Sequence, residues 1–344
     1  MTGLTVAARQ SLDRPIWIIL PLALILIVLA VFLGVADLSP AMVLDVLTGH
    51  GSENARLIIT DIRIPRIATG ILAGIHFAVA GLLLQTITRN PLADPSIMGI
   101  SQGATLAVTI FLFFAVYWFD SDPHKVYQLP VAWLPAVGLF GGLAAGAVIF
   151  LLARRHDLGP LRITLCGIAV GAVLHALAMG LIAGWGSARI EIVLQWLSGS
   201  LYARSWEHVL FLLPFTVAGL LVLPFLRRSI DLLRFEAPVA LSFGFPYRAQ
   251  FTVVLMIACG LAASAVGVTG PIIFIGLIVP HLARFIAGSR FNLVLPLTLL
   301  LGAVIVTAGD LIGRLAGGAE EIPIGVVSAI GGAPILLALL RRIR

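Results

Sequence analysis

Residues able to do chemistry are few enough in this chain to be taken one at a time. The only lysine, Lys125, sits in Asp122-Pro123-His124-Lys125. The Gly-x-x-x-x-Gly-Lys-Ser/Thr loop that cradles nucleotide phosphates is therefore absent. Any ATP must be bound by a partner, and no cofactor is expected on the chain itself. His-Glu-x-x-His does not occur, and the one Gly-x-Ser-x-Gly match, Gly99-Ile100-Ser101-Gln102-Gly103, opens a long apolar run instead of a strand-to-helix turn, so metal-assisted and serine hydrolysis both lack their machinery. The chain reads as non-catalytic, with no resident metal. His76 and His175 fall within long apolar runs. His175 and Met179, one helical turn apart, can line a pathway, although histidines in such runs ordinarily bond across helices. Asp310 and Arg314 are spaced for a local pair, as are Asp61 and Arg63; exposed pairs of that kind are common and weak. Cys166 and Cys259 lie in apolar runs, where a thiol is inert packing.

These residues sit in a chain that is 60% hydrophobic and 11% charged over 344 residues. Soluble domains carry about 25% charged residues. So much apolar surface must face lipid or another buried helix, and a span needs about 20 mostly apolar residues. Ten such runs are present. They cover Trp17 to Val35, Ile64 to Ile87, Met98 to Phe119, Val131 to Leu152, Leu161 to Ala183, Val209 to Leu226, Phe251 to Val268, Pro271 to Ile286, Leu293 to Leu311, and Ile324 to Leu340. The first is longer than a signal-peptide core and reads as a retained anchor. The eighth is short and interrupted by Pro280. Glycines recur four apart (Gly70 and Gly74; Gly138, Gly142 and Gly146; Gly167 and Gly171), a spacing that brings helix backbones together in lipid. The expected architecture is an all-α membrane protein of ten transmembrane helices, with residues 1–344 forming a single transmembrane domain.

An even number of spans puts both termini on one side. Most of the 22 basic residues then fall on that side, and the positive-inside rule makes it cytoplasmic. The net charge of +6 does not indicate nucleic acid, because the positives are dispersed without a basic stripe. An ion-coupled secondary transporter ordinarily needs ionisable groups near the bilayer midplane; the span centres offer only the histidines His76 and His175, and no carboxylate is clearly central. Two interfacial segments are amphipathic. Ser229 to Glu236, within a polar stretch of about 229–246, suits a short surface helix facing a soluble partner. Arg189 to Leu201 suits the opposite surface, with Trp196 and Trp206 placed for the headgroup zone.

Three longer patterns carry a resemblance. The first is Arg63-Ile64-Pro65-Arg66, followed after one span by Thr88-Arg89-Asn90-Pro91-Leu92-Ala93-Asp94-Pro95 and Gly99-Ile100-Ser101. The second runs from Gly270-Pro271-Ile272-Ile273-Phe274 to Val279-Pro280-His281. The third is Glu321-Ile322-Pro323-Ile324-Gly325-Val326-Val327, with Gly332-Ala333-Pro334 behind it. In these, and over nearly its whole length, the chain resembles the FecCD permeases of bacterial importers for ferric siderophores, haem and cobalamin. The resemblance implies a type II ABC importer fold. It also implies two permease chains (a homo- or heterodimer), two cytoplasmic ATPase subunits and one extracytoplasmic binding protein, in a bacterial inner membrane with both termini cytoplasmic. It places Arg63, Arg66 and Arg314 at positions that dock the binding protein. The segment from Ile230 to Gly244, with Leu232, Leu233, Arg234, Phe235 and Glu236, falls at the ATPase-coupling helices. Family members usually have Gly-acid-acid where this chain has Glu236-Ala237-Pro238. Gln195 to Trp206 looks most like the siderophore branch, with haem or cobalamin as the alternative cargo.

Overall fold

The computed structural model describes residues 2–36, 38–117, 131–154, 159–184, 194 and 196–342. Among these the regular structure is helical. In chain order the helices are α1 (Thr2–Phe32), α2 (Pro40–Leu47), α3 (Glu53–Leu57), α4 (Ile64–Thr88), α5 (Ile100–Tyr117), α6 (Leu134–Arg154) and α7 (Pro160–Ala183). They continue with α8 (Trp206–Val222), α9 (Arg227–Leu232), α10 (Ala237–Ser242), α11 (Tyr247–Thr269), α12 (Ile275–Ala287), α13 (Phe291–Gly317) and α14 (Ile324–Arg342). A π-helical stretch, Ile58–Arg63, joins α3 to α4. The helices α4 (with its preceding turns), α6, α7, α11 and α13 are long and apolar enough to cross a membrane, and α1, α5, α8, α12 and α14 supply shorter apolar stretches. These ten coincide with the ten apolar runs of the sequence, and the chain is a multi-pass membrane protein. Lys125 and Gln195 lie outside the described residues, as do residues 189–193 of the segment from Arg189 to Leu201.

Helix α4 is the hub, packing against α8, α11, α12 and α13. From Gly70 to Thr88 most of its side chains are buried, which in lipid requires protein on every side. The contact with α13 is antiparallel: Arg66 meets Asp310, and Gly74 meets Gly302. A Cβ on Gly74 would lie 2.2 Å from the Gly302 carbonyl oxygen, so this crossing exists only with glycine there. The other glycine pairs also serve contact. Gly138, Gly142 and Gly146 face Gly267, Ala263 and Cys259 of α11, while Gly167 and Gly171 take the Met98–Gly99 backbone.

Three helices are tied through one buried imidazole. His76 Nδ1 lies 3.0 Å from Ser264 Oγ of α11, and its Nε2 lies 2.7 Å from Thr216 Oγ1 of α8. His76 is fully buried, so a cross-helix bond in place of an orphaned ring nitrogen is what fixes it. The eighth span departs from its sequence boundary. Gly270 and Phe274 both take positive φ (73° and 70°), and the helix begins at Ile275, not at Pro271. Position 270 cannot carry a side chain, because a Cβ would sit 2.1 Å from the Trp196 carbonyl oxygen. Trp196 is accordingly 6% exposed and packs inside the protein instead of at a headgroup. Trp206 is 44% exposed and donates to the Thr60 carbonyl at 3.0 Å.

Candidate functional site

The start of α4, the end of α13 and the end of α1 meet on one face of the bundle. Here the two arginines of Arg63-Ile64-Pro65-Arg66 have separate partners. Arg63 is 4% exposed and donates to the carbonyls of Val31 (2.7 Å), Phe32 (3.0 Å) and Ala36 (2.7 Å). It caps the C-terminus of α1, where unsatisfied carbonyls and the helix dipole favour a cation. Asp61, its expected sequence neighbour, instead accepts from Thr60.

Arg66, 7% exposed, grips Asp310 of α13 with its Nε at 3.1 and 3.0 Å from the two carboxylate oxygens and its Nη2 at 2.7 Å. Its Nη1 reaches Glu321 at 2.8 Å. Arg314 lies one turn beyond Asp310 and pairs with it at 3.2 Å, while its Nη1 reaches the Leu33 carbonyl at 3.4 Å. The network thus ties α1, α4, α13 and the segment before α14. It holds Arg66, Arg314, Asp310 and Glu321 within little solvent, and Glu321, its side chain 17% exposed, is the most accessible acid.

Arg204 stands beside this network without joining it. The turn that presents it contains Ala203 at φ 55°, an unusual conformation for a residue with a Cβ. Arg204 Nε has no hydrogen-bond partner among the described residues. Burial, and then the neighbouring Arg66, lower its pKa to about 10, so it stays cationic at neutral pH. Sequence reasoning singled out Arg63, Arg66 and Arg314 by motif and missed Arg204 and Glu321. The only signal for either was its place in a longer pattern.

The opposite face carries the polar segment after α8. It folds as two short helices, α9 and α10, rather than one surface helix. Leu232 is half-buried, Leu233 is fully buried, and Arg234 donates to the Ser289 carbonyl. Phe235 is 53% exposed, and Glu236 forms the N-cap position of α10. Val239, Leu241 and Phe243 extend the exposed apolar surface, which an amphipathicity count ending at Glu236 did not reach. On α7, His175 is exposed and Met179 half-buried, one turn apart. Among the described residues, no group of three His, Cys, Asp or Glu side chains comes together to hold a metal ion.

The comparisons with known proteins agree in one direction. Residues 22–342 match the model of the FecCD transport family. The chain is 37% identical over 334 residues to the Fe(3+)-citrate import system permease protein YfmE of Bacillus subtilis (strain 168), covering 95% of this chain and 96% of that protein. It is 31% identical over 338 residues to the iron(3+)-hydroxamate import system permease protein FhuG of the same organism, covering 97% and 99%. Among solved structures, it superposes on a metal-chelate type ABC transporter in an inward-facing conformation with a TM-score of 0.78, at 28% identity over 94% of this chain and 98% of that one. With a family match over nearly its entire length and relatives above 30% identity that are covered almost end to end, the chain belongs to the FecCD transport family.

Proposed function

We propose that this chain is the transmembrane permease subunit of an ABC importer that carries a ferric siderophore across the bacterial cytoplasmic membrane, driven by ATP hydrolysis on a partner. The observation that carries this reading is end-to-end similarity to permeases of Fe(3+)-citrate and iron(3+)-hydroxamate import. That similarity is joined to a ten-helix bundle and a sequence with no nucleotide-binding loop. The 344 residues work as one transmembrane domain with both termini cytoplasmic, which the distribution of arginines supports. A second permease chain, two ATPase subunits and an extracytoplasmic binding protein complete the machine. The non-catalytic assignment follows from the same division of labour.

The ATPase docks on the α9–α10 segment. Phe235, Val239, Leu241 and Phe243 provide exposed apolar contact, Glu236 provides charge, and Leu232, Leu233 and Arg234 hold the segment to the bundle. The binding protein docks on the face of Arg63, Arg66 and Arg314. Those arginines already have partners in the chain, so a carboxylate on the incoming protein enters beside Arg204 and competes with Glu321 for Arg66. Charge complementarity at such a rim steers encounter and fixes orientation. His175 and Met179 line the path on α7, where tight ligation of cargo would oppose release. The test is reconstitution of the four kinds of subunit in proteoliposomes, with uptake of radiolabelled ferric chelate measured against added ATP. An adjacent open reading frame encoding an ABC ATPase would support the reading independently, and its absence would weaken it.

A further inference from the structure

Asp94 falls between two spans in the sequence, yet the structure carries it into the bundle. Helix α4 ends at Thr88, and residues 90–99 fold back along it. The Asp94 carboxylate comes to rest against Gly276, where a Cβ would lie 2.8 Å from its Oδ2 and 3.0 Å from the Phe77 carbonyl oxygen. Phe77 is near the middle of α4 (Ile64–Thr88). The carboxylate therefore sits roughly 10–15 Å short of the end of that helix, at a rise of about 1.5 Å per residue. Asp94 is 2% exposed and forms no ion pair among the described residues. Its Oδ1 accepts from the Ser96 amide at 2.8 Å and from the Ser96 hydroxyl, while Oδ2 has no hydrogen-bond partner among the described residues. A carboxylate buried in this way is costly unless something positive faces it.

The start of α12 supplies that positive end. Gly276 lies in its first turn, and the Leu277 amide faces the same carboxylate. The helix has no side-chain cap of its own: its N-cap residue is Phe274, at φ 70°. A bulky residue keeps that conformation only where its surroundings impose it. The helix start lacks a side-chain acceptor and the carboxylate lacks a cation, and each meets the need of the other. Further contacts fix α12 along its length. Gln85 of α4 donates to the Gly276 carbonyl at 3.0 Å and accepts from Arg284. Just past the other end of α12, the Ser289 carbonyl accepts from Arg234 of the α9–α10 segment. The 90–99 loop meets α7 in turn, through Met98 and Gly99 against Gly167 and Gly171.

We propose that Asp94 is a positioning residue for transport. Its carboxylate caps α12 from the 90–99 loop. Helix α12 then joins the segment proposed to dock the ATPase, at one end, to that loop and through it to α7 at the other. The part of this inference that concerns transport rests on the function proposed above, and the capping part does not.

Capping is tested on the full chain in dodecyl maltoside by hydrogen exchange read by mass spectrometry. Asp94→Asn keeps the shape of the side chain and removes its charge. Exchange at Ile275 to Ile278 should rise about tenfold, with peptides from α6 and the first half of α13 unchanged. Ser96→Ala removes one donor to the carboxylate and leaves the carboxylate in place. It should give a smaller local rise, about two- to threefold, and it decides the matter if Asp94→Asn does not fold. No local rise, or a uniform rise along the chain, overturns the proposal. Transport is tested in proteoliposomes with the ATPase and the loaded binding protein. Asp94→Asn should assemble and hydrolyse ATP as wild type does while delivering several-fold fewer chelates per ATP. An unchanged ratio overturns the proposal, as does a proportional fall in assembly, hydrolysis and uptake, which marks a purely structural role. If wild type shows no ATP-driven uptake, the transport reading fails and the exchange result alone decides whether Asp94 positions α12. Uptake driven by an imposed proton gradient, and lost in Asp94→Asn without a local change in exchange, makes the carboxylate a proton carrier and overturns the proposal.

Discussion

Removing the Asp310 carboxylate should be among the most damaging single changes in this protein. It accepts three close contacts from Arg66, at 2.7 to 3.1 Å, and lies 3.2 Å from Arg314. With Arg66 and Arg314 only 7% and 4% exposed, Asp310→Leu leaves two buried guanidinium groups with Glu321 as their remaining acid. Breaking a buried pair from one side costs about 3–5 kcal/mol, whereas replacing both partners by apolar residues is often close to neutral. Arg66→Met should also destabilise, by roughly 2–3 kcal/mol, because Asp310 keeps Arg314 while Glu321 loses its partner. The double variant Arg66→Met/Asp310→Leu should recover about 2 kcal/mol relative to the sum of the singles, within the range seen for contacting residues. The assay is unfolding by SDS in mixed micelles, followed by tryptophan fluorescence, on the four proteins of the cycle. Additivity within about 0.5 kcal/mol would refute the network as an energetic unit and leave the contacts as proximity alone.

Gly74→Ala should separate α4 from α13, since the added Cβ would lie 2.2 Å from a backbone oxygen that has no flexible end to move; the loss should be about 1–3 kcal/mol in the same SDS titration. In the segment proposed to dock the ATPase, Phe235→Asp should leave expression and elution unchanged while reducing co-purification of the ATPase. Leu233→Asp should lower the yield of folded chain itself, because Leu233 is fully buried and Phe235 is 53% exposed. Equal behaviour of the two in a pull-down with matched amounts of folded chain would contradict the assignment. Arg204→Glu should weaken docking of the binding protein to the reconstituted complex by about tenfold or more at low salt and less at high salt. Arg63→Gln should act on stability, through the end of α1. Affinity titrations at two ionic strengths check both, and an unchanged affinity in Arg204→Glu would remove Arg204 from the docking surface.

The spans were legible because most of the apolar runs are about as long as a membrane crossing and are bounded by charge or proline, the short eighth being the exception. The glycine spacings were legible as contacts, although nothing in Gly74 names Gly302 as its partner. What could not be read was pairing over distance. Arg66 and Asp310 are 244 residues apart, and a linear reading offers only near neighbours. It found Asp310 with Arg314 because one helical turn is a local geometry, but Arg63 turned to the end of α1 and away from Asp61. Leu233 and Phe235 looked alike in an amphipathic stretch, and only the break between α9 and α10 decides which is buried. The boundary at Ile275 likewise depends on Gly270 and Phe274 adopting positive φ, which the Pro271 signal alone did not reveal.

The most direct measurement is uptake by proteoliposomes containing this permease, its ATPase and the loaded binding protein. Ferric chelate should accumulate with ATP present and a collapsed proton gradient, and accumulation should cease when the ATPase is omitted or carries an inactive nucleotide site. Accumulation driven by an imposed proton or sodium gradient without the ATPase would contradict the account and make the chain an ion-coupled transporter.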